Sequence, residues 1–369
     1  MKLIKNIIFF IIICIPFNTY ALEISAKRAV LFEPITGRVI FEKNKDETSG
    51  MASTTKIVTA ITAIENGNLN DIVTVSKKAA DVEGSSVWLE EGEKQTLENL
   101  LYGLMLSSGN DAAIAIAEHI SKSTEKFALL MNETAKKAGA KNSSFKNPNG
   151  LDQEGHYTTA IDLAKITAYA MDNEIFRNIV STGQKTIPWE GHEWDRTLKN
   201  HNKMLVLYDG ADGVKTGFTK KCGRCLVSSA VRSGIRLIAV TLNAPNDWED
   251  HTKMLDLGFD ALKAETIFKQ GSIVENIKIT GAAQETLNVC AKQEIVVPVL
   301  AGDKTDIKIN LPQSVNAPIK KNQSIGFAEV YLNGLKIAET QLVSQSDVEV
   351  LYIPGIWDNF KILLKLLFN

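Results

Sequence analysis

Hydrophobic and polar positions change texture along this chain, and each texture predicts different elements. Residues 1–21, MKLIKNIIFFIIICIPFNTYA, carry Lys2 and Lys5, then an apolar run from Ile7 to Ile15, then the small-x-small stretch Thr19-Tyr20-Ala21. That order predicts a secretory signal peptide cut after Ala21; the run is short of the roughly 20 residues a membrane span needs. Residues 22–262 mix periods. AVLFEPITGRVIFEKN alternates around a turn at Pro34–Gly37 and reads as a hairpin. Period-3.6 runs predict helices over 54–66, 95–106, 111–121, 124–138 and 160–171, and 226–231 and 235–242 read as strands. Strands at both ends with helices between describe an α/β domain whose sheet joins its termini.

After Lys263 the period shortens. VENIKI, EIVVPVL, DIKINL, SIGFAEVYLNG and LKIAETQLV alternate between Gly, Pro and Asn breaks, which predicts a small all-β domain over 264–350. The tail returns to a helical pattern. Over 356–369, Lys361 and Lys365 share one face while Phe360, Leu363, Leu364 and Leu367 lie opposite, on a segment too short to span a bilayer. We expect an amphipathic helix lying in the membrane interface; the alternative is a terminal helix docked on the protein itself.

Composition narrows this picture. The exported part keeps Cys222, Cys225 and Cys290, too few for a disulfide framework, and nothing around the CGRC stretch resembles a redox βαβ unit. Loss of Lys2 and Lys5 takes the net charge from −2 to −4, and no basic patch suggests nucleic acid. No H-E-x-x-H occurs and the histidines show no ligand spacing, so we expect neither metal nor cofactor.

The candidate chemistry starts in MASTTKIVTA, where Ser53 opens the first predicted helix and Lys56 lies on the same face at i,i+3. Ser53 is either an N-cap with Lys56 reaching to solvent, or a nucleophile whose proton a partly buried lysine takes. Ser108 and Asn110 interrupt two apolar helices, where polar residues are costly unless they face a cleft; the plainer reading makes Asn110 a helix cap. Lys215-Thr216-Gly217 would open an edge strand able to pair with an extended peptide, with Lys215 a cation for a carboxylate, Thr216 a donor and Gly217 a point of close backbone approach. His156 is taken as structural. Ser108 follows Ser53 by 55 residues and Lys215 follows Ser108 by 107, each motif in the local context its role requires.

In these motifs the chain resembles the penicillin-binding serine acyltransferases, and within them the low-molecular-mass D-alanyl-D-alanine carboxypeptidases. FKNPNGLDQEGHYTTAIDLA and GADGVKTGFTKKCGRCLVSSAVRSGIRLIAVTLNA are similar to stretches of that group. The resemblance implies a β-lactamase-like α/β (α+β) transpeptidase domain with an antiparallel sheet, followed by the β domain and a C-terminal amphipathic helix at the outer face of the cytoplasmic membrane. It implies that Ser53 is acylated by a stem peptide ending in D-Ala-D-Ala, or by a β-lactam, with Lys56 as general base and Ser108 with Asn110 completing the inner site. It also implies that Lys215 and Thr216 hold the terminal carboxylate and that the backbone N–H groups of Ser53 and Phe218 form the oxyanion hole. Phe218 stands where relatives carry His or Tyr, and Cys222 where a small residue is expected, which raises the question of a reactive thiol beside the site. Rival readings are a β-lactamase, disfavoured because no E-x-x-L-N lies between Asn110 and Lys215, a D,D-endopeptidase, and a non-catalytic peptidoglycan-binding protein.

Overall fold

The computed structural model describes residues 22–351; the predicted signal peptide (1–21) and amphipathic tail helix (356–369) lie outside them. A five-stranded antiparallel sheet is built from both ends of the N-terminal domain: β1 (Arg28–Glu33), β2 (Arg38–Lys43), β3 (Ala211–Thr219), β4 (Gly223–Arg232) and β5 (Ile235–Leu242), in the order β2-β1-β5-β4-β3. The hairpin β1–β2 turns where expected. The Glu33 carboxylate caps it, accepting from Ile35 N (2.7 Å) and Thr36 N (2.8 Å), and Gly37 takes the left-handed conformation at φ 70°.

Side chains of this sheet alternate between two cores. Val30, Val227, Ile238 and Val240 face a helical layer, while Ala29, Leu226, Leu237 and Ala239 face the opposite side. Burial on both faces explains why β4 and β5 read as near-continuous apolar runs. The helical layer comprises α1 (Lys56–Asn66), α2 (Leu97–Leu106), α3 (Asn110–Ser121), α4 (Thr124–Lys137), α5 (Ala160–Met171) and α6 (Glu174–Ser181). Side-chain oxygens of Thr96, Ser123 and Thr159 cap α2, α4 and α5. The other face is covered by α7 (Asp247–Ala261), packed through Met254 and Leu255.

The sequence pattern places α1 to α5 within about two residues and misses α6 and α7. Helix α7 is acidic along most of its length and contains Gly258, which sits against Leu31 and Leu237, so its apolar stripe is narrow. Residues 95 and 96, read as the start of a helix, instead belong to the strand Lys94–Thr96, which pairs with Ile72–Thr74 in a short ribbon. Beyond α7, residues 263–344 form a six-stranded sheet and a two-stranded ribbon around Leu287, Val289, Val297, Val330 and Leu342. Arg38 at the β1–β2 hairpin forks onto Asp303 of this β domain at 2.5 and 2.8 Å. That pairing holds the Asp303 carboxyl well below the usual carboxylate range.

Candidate active site

Ser53 sits on a single 3-10 turn, Ala52–Thr55, that feeds into α1. No side-chain cap is made there, so the helix-capping reading of Ser53 does not hold. The turn is clamped by backbone from two sides. A Cβ at Gly150 would lie 2.1 Å from the Ala52 carbonyl oxygen, and Gly150 itself takes φ 88°. A Cβ at Gly217 on β3 would lie 2.9 Å from Ser53 N and 3.0 Å from Thr54 N. Only glycine permits both approaches.

Lys56, the first residue of α1, is fully buried. Its Nζ lies 3.0 Å from Ser53 Oγ, 2.8 Å from Asn110 Oδ1 and 2.6 Å from the Asn149 carbonyl oxygen. The Asn110 amide is oriented by its other end, where Nδ2 donates to the Glu83 carbonyl at 2.6 Å. The Asn110 and Asn149 oxygens only accept. A neutral amine has two N–H groups and one lone pair, so giving both hydrogens to these oxygens turns the lone pair to the serine hydroxyl. Burial, and then the neighbouring charge of Lys215, lower the Lys56 pKa well below its ordinary value, while Asp111 opposes them. The electrostatics favour the neutral lysine, and the geometry then leaves its lone pair facing the serine hydroxyl.

Asn110 opens α3, whose N-cap is Gly109, so the amide is free of the capping task proposed for it. The next residue, Asp111, gathers Ser86 Oγ (2.6 Å), Val87 N (2.9 Å) and Leu89 N (3.1 Å) and so fixes the 85–89 loop at the cleft. Ser108 is buried with φ 61°, a conformation costing a non-glycine residue on the order of 1–3 kcal/mol. It lines a cleft of ≈ 320 Å³ together with Ser53, Thr216, Gly217, Phe218 and Arg224.

Strand β3 is an edge of the sheet, as the peptide-pairing expectation requires, but it begins at Ala211 and carries Lys215-Thr216-Gly217 in its interior. Register places Lys215 and Gly217 opposite Val227 and Cys225, on the helical face where Lys56 lies. Lys215 is buried and its Nζ donates to the Thr216 carbonyl at 3.0 Å; burial pushes its pKa down to about 7. It is not among the residues lining the cleft, whereas Thr216 and Phe218 are. Burial, and then Lys215, also lower the pKa of His201 at the cleft wall.

His156 is buried against the Ser53 turn. Its Nδ1 accepts from Lys146 N (3.0 Å), which leaves the proton on Nε2 to donate to Thr55 Oγ1 (2.9 Å). Burial holds its pKa near 4. The Cys222 thiol lies outside the Ser53 cleft, 3.2 Å from Asp152 Oδ1, with its pKa raised by burial; burial pushes Cys225 up to about 12. Neither is a thiolate at neutral pH, which answers the question of a reactive thiol. The sequence offers no sign of the Asn149 and Glu83 carbonyls, since backbone oxygens carry no residue-type signal, and Arg224 hides between the two cysteines.

The chain matches the family model described as D-alanyl-D-alanine carboxypeptidase, peptidase S11, over residues 16–246. Residues 263–350 match the model of the penicillin-binding protein 5 C-terminal domain. D-alanyl-D-alanine carboxypeptidase DacF of Bacillus subtilis is 35% identical over 362 residues, covering 93% of each chain. DacC of Escherichia coli is 30% identical over 358 residues, 91% of this chain and 88% of that one. Among solved structures, penicillin-binding protein 5 of Haemophilus influenzae superposes with TM-score 0.64 at 27% identity, over 89% of this chain and 98% of that one. A mutant of the Streptomyces K15 DD-transpeptidase gives TM-score 0.62 at 34% identity, over 65% of this chain and 99% of that one.

Proposed function

The chain belongs to the peptidase S11 family of serine-type D-alanyl-D-alanine carboxypeptidases, hydrolases acting on peptidoglycan, and from that premise we propose that Ser53 carries the acyl group and Lys56 moves its proton. The observation behind this reading is the placement of buried Lys56, whose Nζ lies 3.0 Å from Ser53 Oγ between two oxygens that take its hydrogens once it is neutral. As Oγ bonds to the carbonyl carbon of the penultimate D-alanine, Lys56 Nζ takes the hydroxyl proton. The developing oxyanion meets the N–H groups of Ser53 and Phe218, and Gly217 keeps that space open. Collapse breaks the C–N bond, and Lys56, through Ser108, returns the proton to the departing D-alanine nitrogen. Water then attacks the ester, Lys56 again taking the proton, and Ser53 is released.

Asn110 holds Lys56 and faces the bound peptide. Thr216 donates to the terminal carboxylate, with Lys215 behind it adding positive potential. A β-lactam acylates Ser53 in the same way. With no E-x-x-L-N carboxylate to deacylate it, the penicilloyl ester turns over slowly.

The test is D-alanine release from a soluble L-Lys-D-Ala-D-Ala peptide by the full-length chain. Release by wild type and none by Ser53→Ala, with a penicilloyl adduct on Ser53 of the wild type, is the expected result. Equal release by Ser53→Ala would overturn the nucleophile assignment, and rapid catalytic hydrolysis of penicillin would overturn the slow-ester reading.

The activity is extracytoplasmic, as its peptidoglycan substrate requires. No helix among the described residues is long and apolar enough to cross a membrane. We read residues 1–21 as the export signal and 356–369 as a peripheral anchor, on the strength of the charged and apolar faces of that tail. A chain lacking 356–369 should move to the soluble fraction; one that stays with membranes would sink the anchor.

A further inference from the structure

We propose that Arg224, positioned by Asp247, supplies the permanent positive charge that requires a free carboxylate at the end of the peptide substrate. The proposal rests on the carboxypeptidase reading of the Ser53 cleft and adds a specificity-determining residue to it. Arg224 stands directly opposite Phe218 in the β3–β4 ladder, and Thr216 precedes Phe218 by two residues. Antiparallel partners and alternate residues share a face, so all three emerge on the same side of the sheet edge, and all three line the cleft with Ser53. A peptide laid along the open edge of β3 with its scissile carbonyl at Ser53 would therefore bring its end to Thr216 and Arg224.

The cation expected for this task is badly placed for it. Lys215 turns to the other face, is buried, and commits an N–H to the Thr216 carbonyl. With its pKa pushed to about 7 it is only partly charged at neutral pH. A guanidinium keeps its charge throughout this range and presents a planar fork that matches a carboxylate. Arg224 is also held in place. One terminal nitrogen donates to Asp247 Oδ1 at 2.9 Å, and the Trp248 ring lies 6.0 Å from its Cζ. Its side chain is 44% exposed and lines the cleft, so the guanidinium is open to a ligand there. Asp247 is the first residue of α7, where the N-terminal end of the helix partly offsets its charge, so Arg224 is not neutralised outright.

The experiment compares the full-length chain acting on an N-acetylated L-Lys-D-Ala-D-Ala peptide and on the same peptide with a C-terminal amide, following the shortened peptide product. Wild type should prefer the acid strongly. Arg224→Gln should reduce that preference by roughly 10- to 100-fold, mainly through KM on the acid, the scale of a lost hydrogen bond between charged groups. Arg224→Lys should recover part of it, and Asp247→Asn should show a smaller loss through misplacement of the guanidinium. An unchanged preference in Arg224→Gln, with Ser53 still titratable by penicillin, would overturn the proposal. So would a preference abolished by Lys215→Gln and untouched by Arg224→Gln. Persistent turnover by Ser53→Ala would count against the nucleophile reading alone, because the acid-to-amide ratio of Arg224→Gln still decides the role of Arg224.

Discussion

Lysine is used in opposite ways by the catalytic cleft and by the outer face of the β domain. Lys336 lies on the solvent side of the β domain between Glu329 and Glu339, 2.6 Å from each, and these partners raise its pKa. Lys56 and Lys215 are buried without a carboxylate hydrogen-bonded to either, and burial lowers both. The same contrast runs through the two interiors. Among the described residues the β domain buries Thr340 and Ser344 but no charged side chain, whereas the catalytic domain buries Lys56, Asn110, Asp111 and Lys215 beside its core. Buried polar groups cost stability unless fully bonded, so a cluster of them next to a cleft marks where chemistry overrides packing.

Breaking the cleft side of this contrast should have the largest effect. Lys56→Met keeps the volume but removes the base, and D-alanine release should fall by roughly 10²–10⁴-fold with the penicillin acylation rate falling in parallel. A variant retaining wild-type acylation would mean that the serine proton leaves by another route. Gly217→Ala puts a methyl about 3 Å from backbone nitrogens of the Ser53 turn. It should cost kcat about 10²-fold or more, the scale of a lost oxyanion donor.

The β domain should respond in stability rather than in turnover. Leu287→Ala, at a fully buried core position, should destabilise the chain by about 2–5 kcal/mol in denaturant unfolding and leave D-alanine release per folded molecule unchanged. Altered turnover would tie the β domain to the cleft.

The smallest effect sharpens the comparison through pH. Between about pH 7 and Lys215's ordinary value of 10.5, the unfolded chain holds a proton that the folded chain has released. Stability from this group therefore rises with pH across that window, and the penalty of burying it is fully present below it. Relative to Lys215→Met, wild type should gain urea midpoint from pH 7 to pH 10, by about 1.4 kcal/mol per pH unit at most. A gap independent of pH would show Lys215 protonated in the folded state. Catalysis should have an acid limb as well, since Lys56 must be neutral to act, and protonation should depress kcat/KM.

Much of this architecture is legible in the sequence. The hairpin at Pro34–Gly37, helices α1 to α5 and the strands closing the sheet follow from local periodicity, because burying one face of an element imprints its period on the chain. Ser53 and Lys56 are close in sequence, so helix geometry alone puts them on one face. Helices α6 and α7 escape because a short element, or one with a narrow apolar stripe, leaves too little pattern.

Long-range contact settles the rest. The oxygens of Asn110 and Asn149 reach Lys56 from 54 and 93 residues away and fix its Nζ beside Ser53. Gly150 and Gly217 close on the serine turn from separate elements. Lys215, which the motif presents as the carboxylate's partner, is turned inward by strand register, while the same register sends Arg224 to the cleft and α7 brings Asp247 to meet it. Residue types and local spacing determine which chemistry a chain carries and where its elements begin. Which atoms meet, which charges are desolvated and which way a strand turns its side chains depend on contacts between segments far apart in sequence, and those exist only in the folded chain.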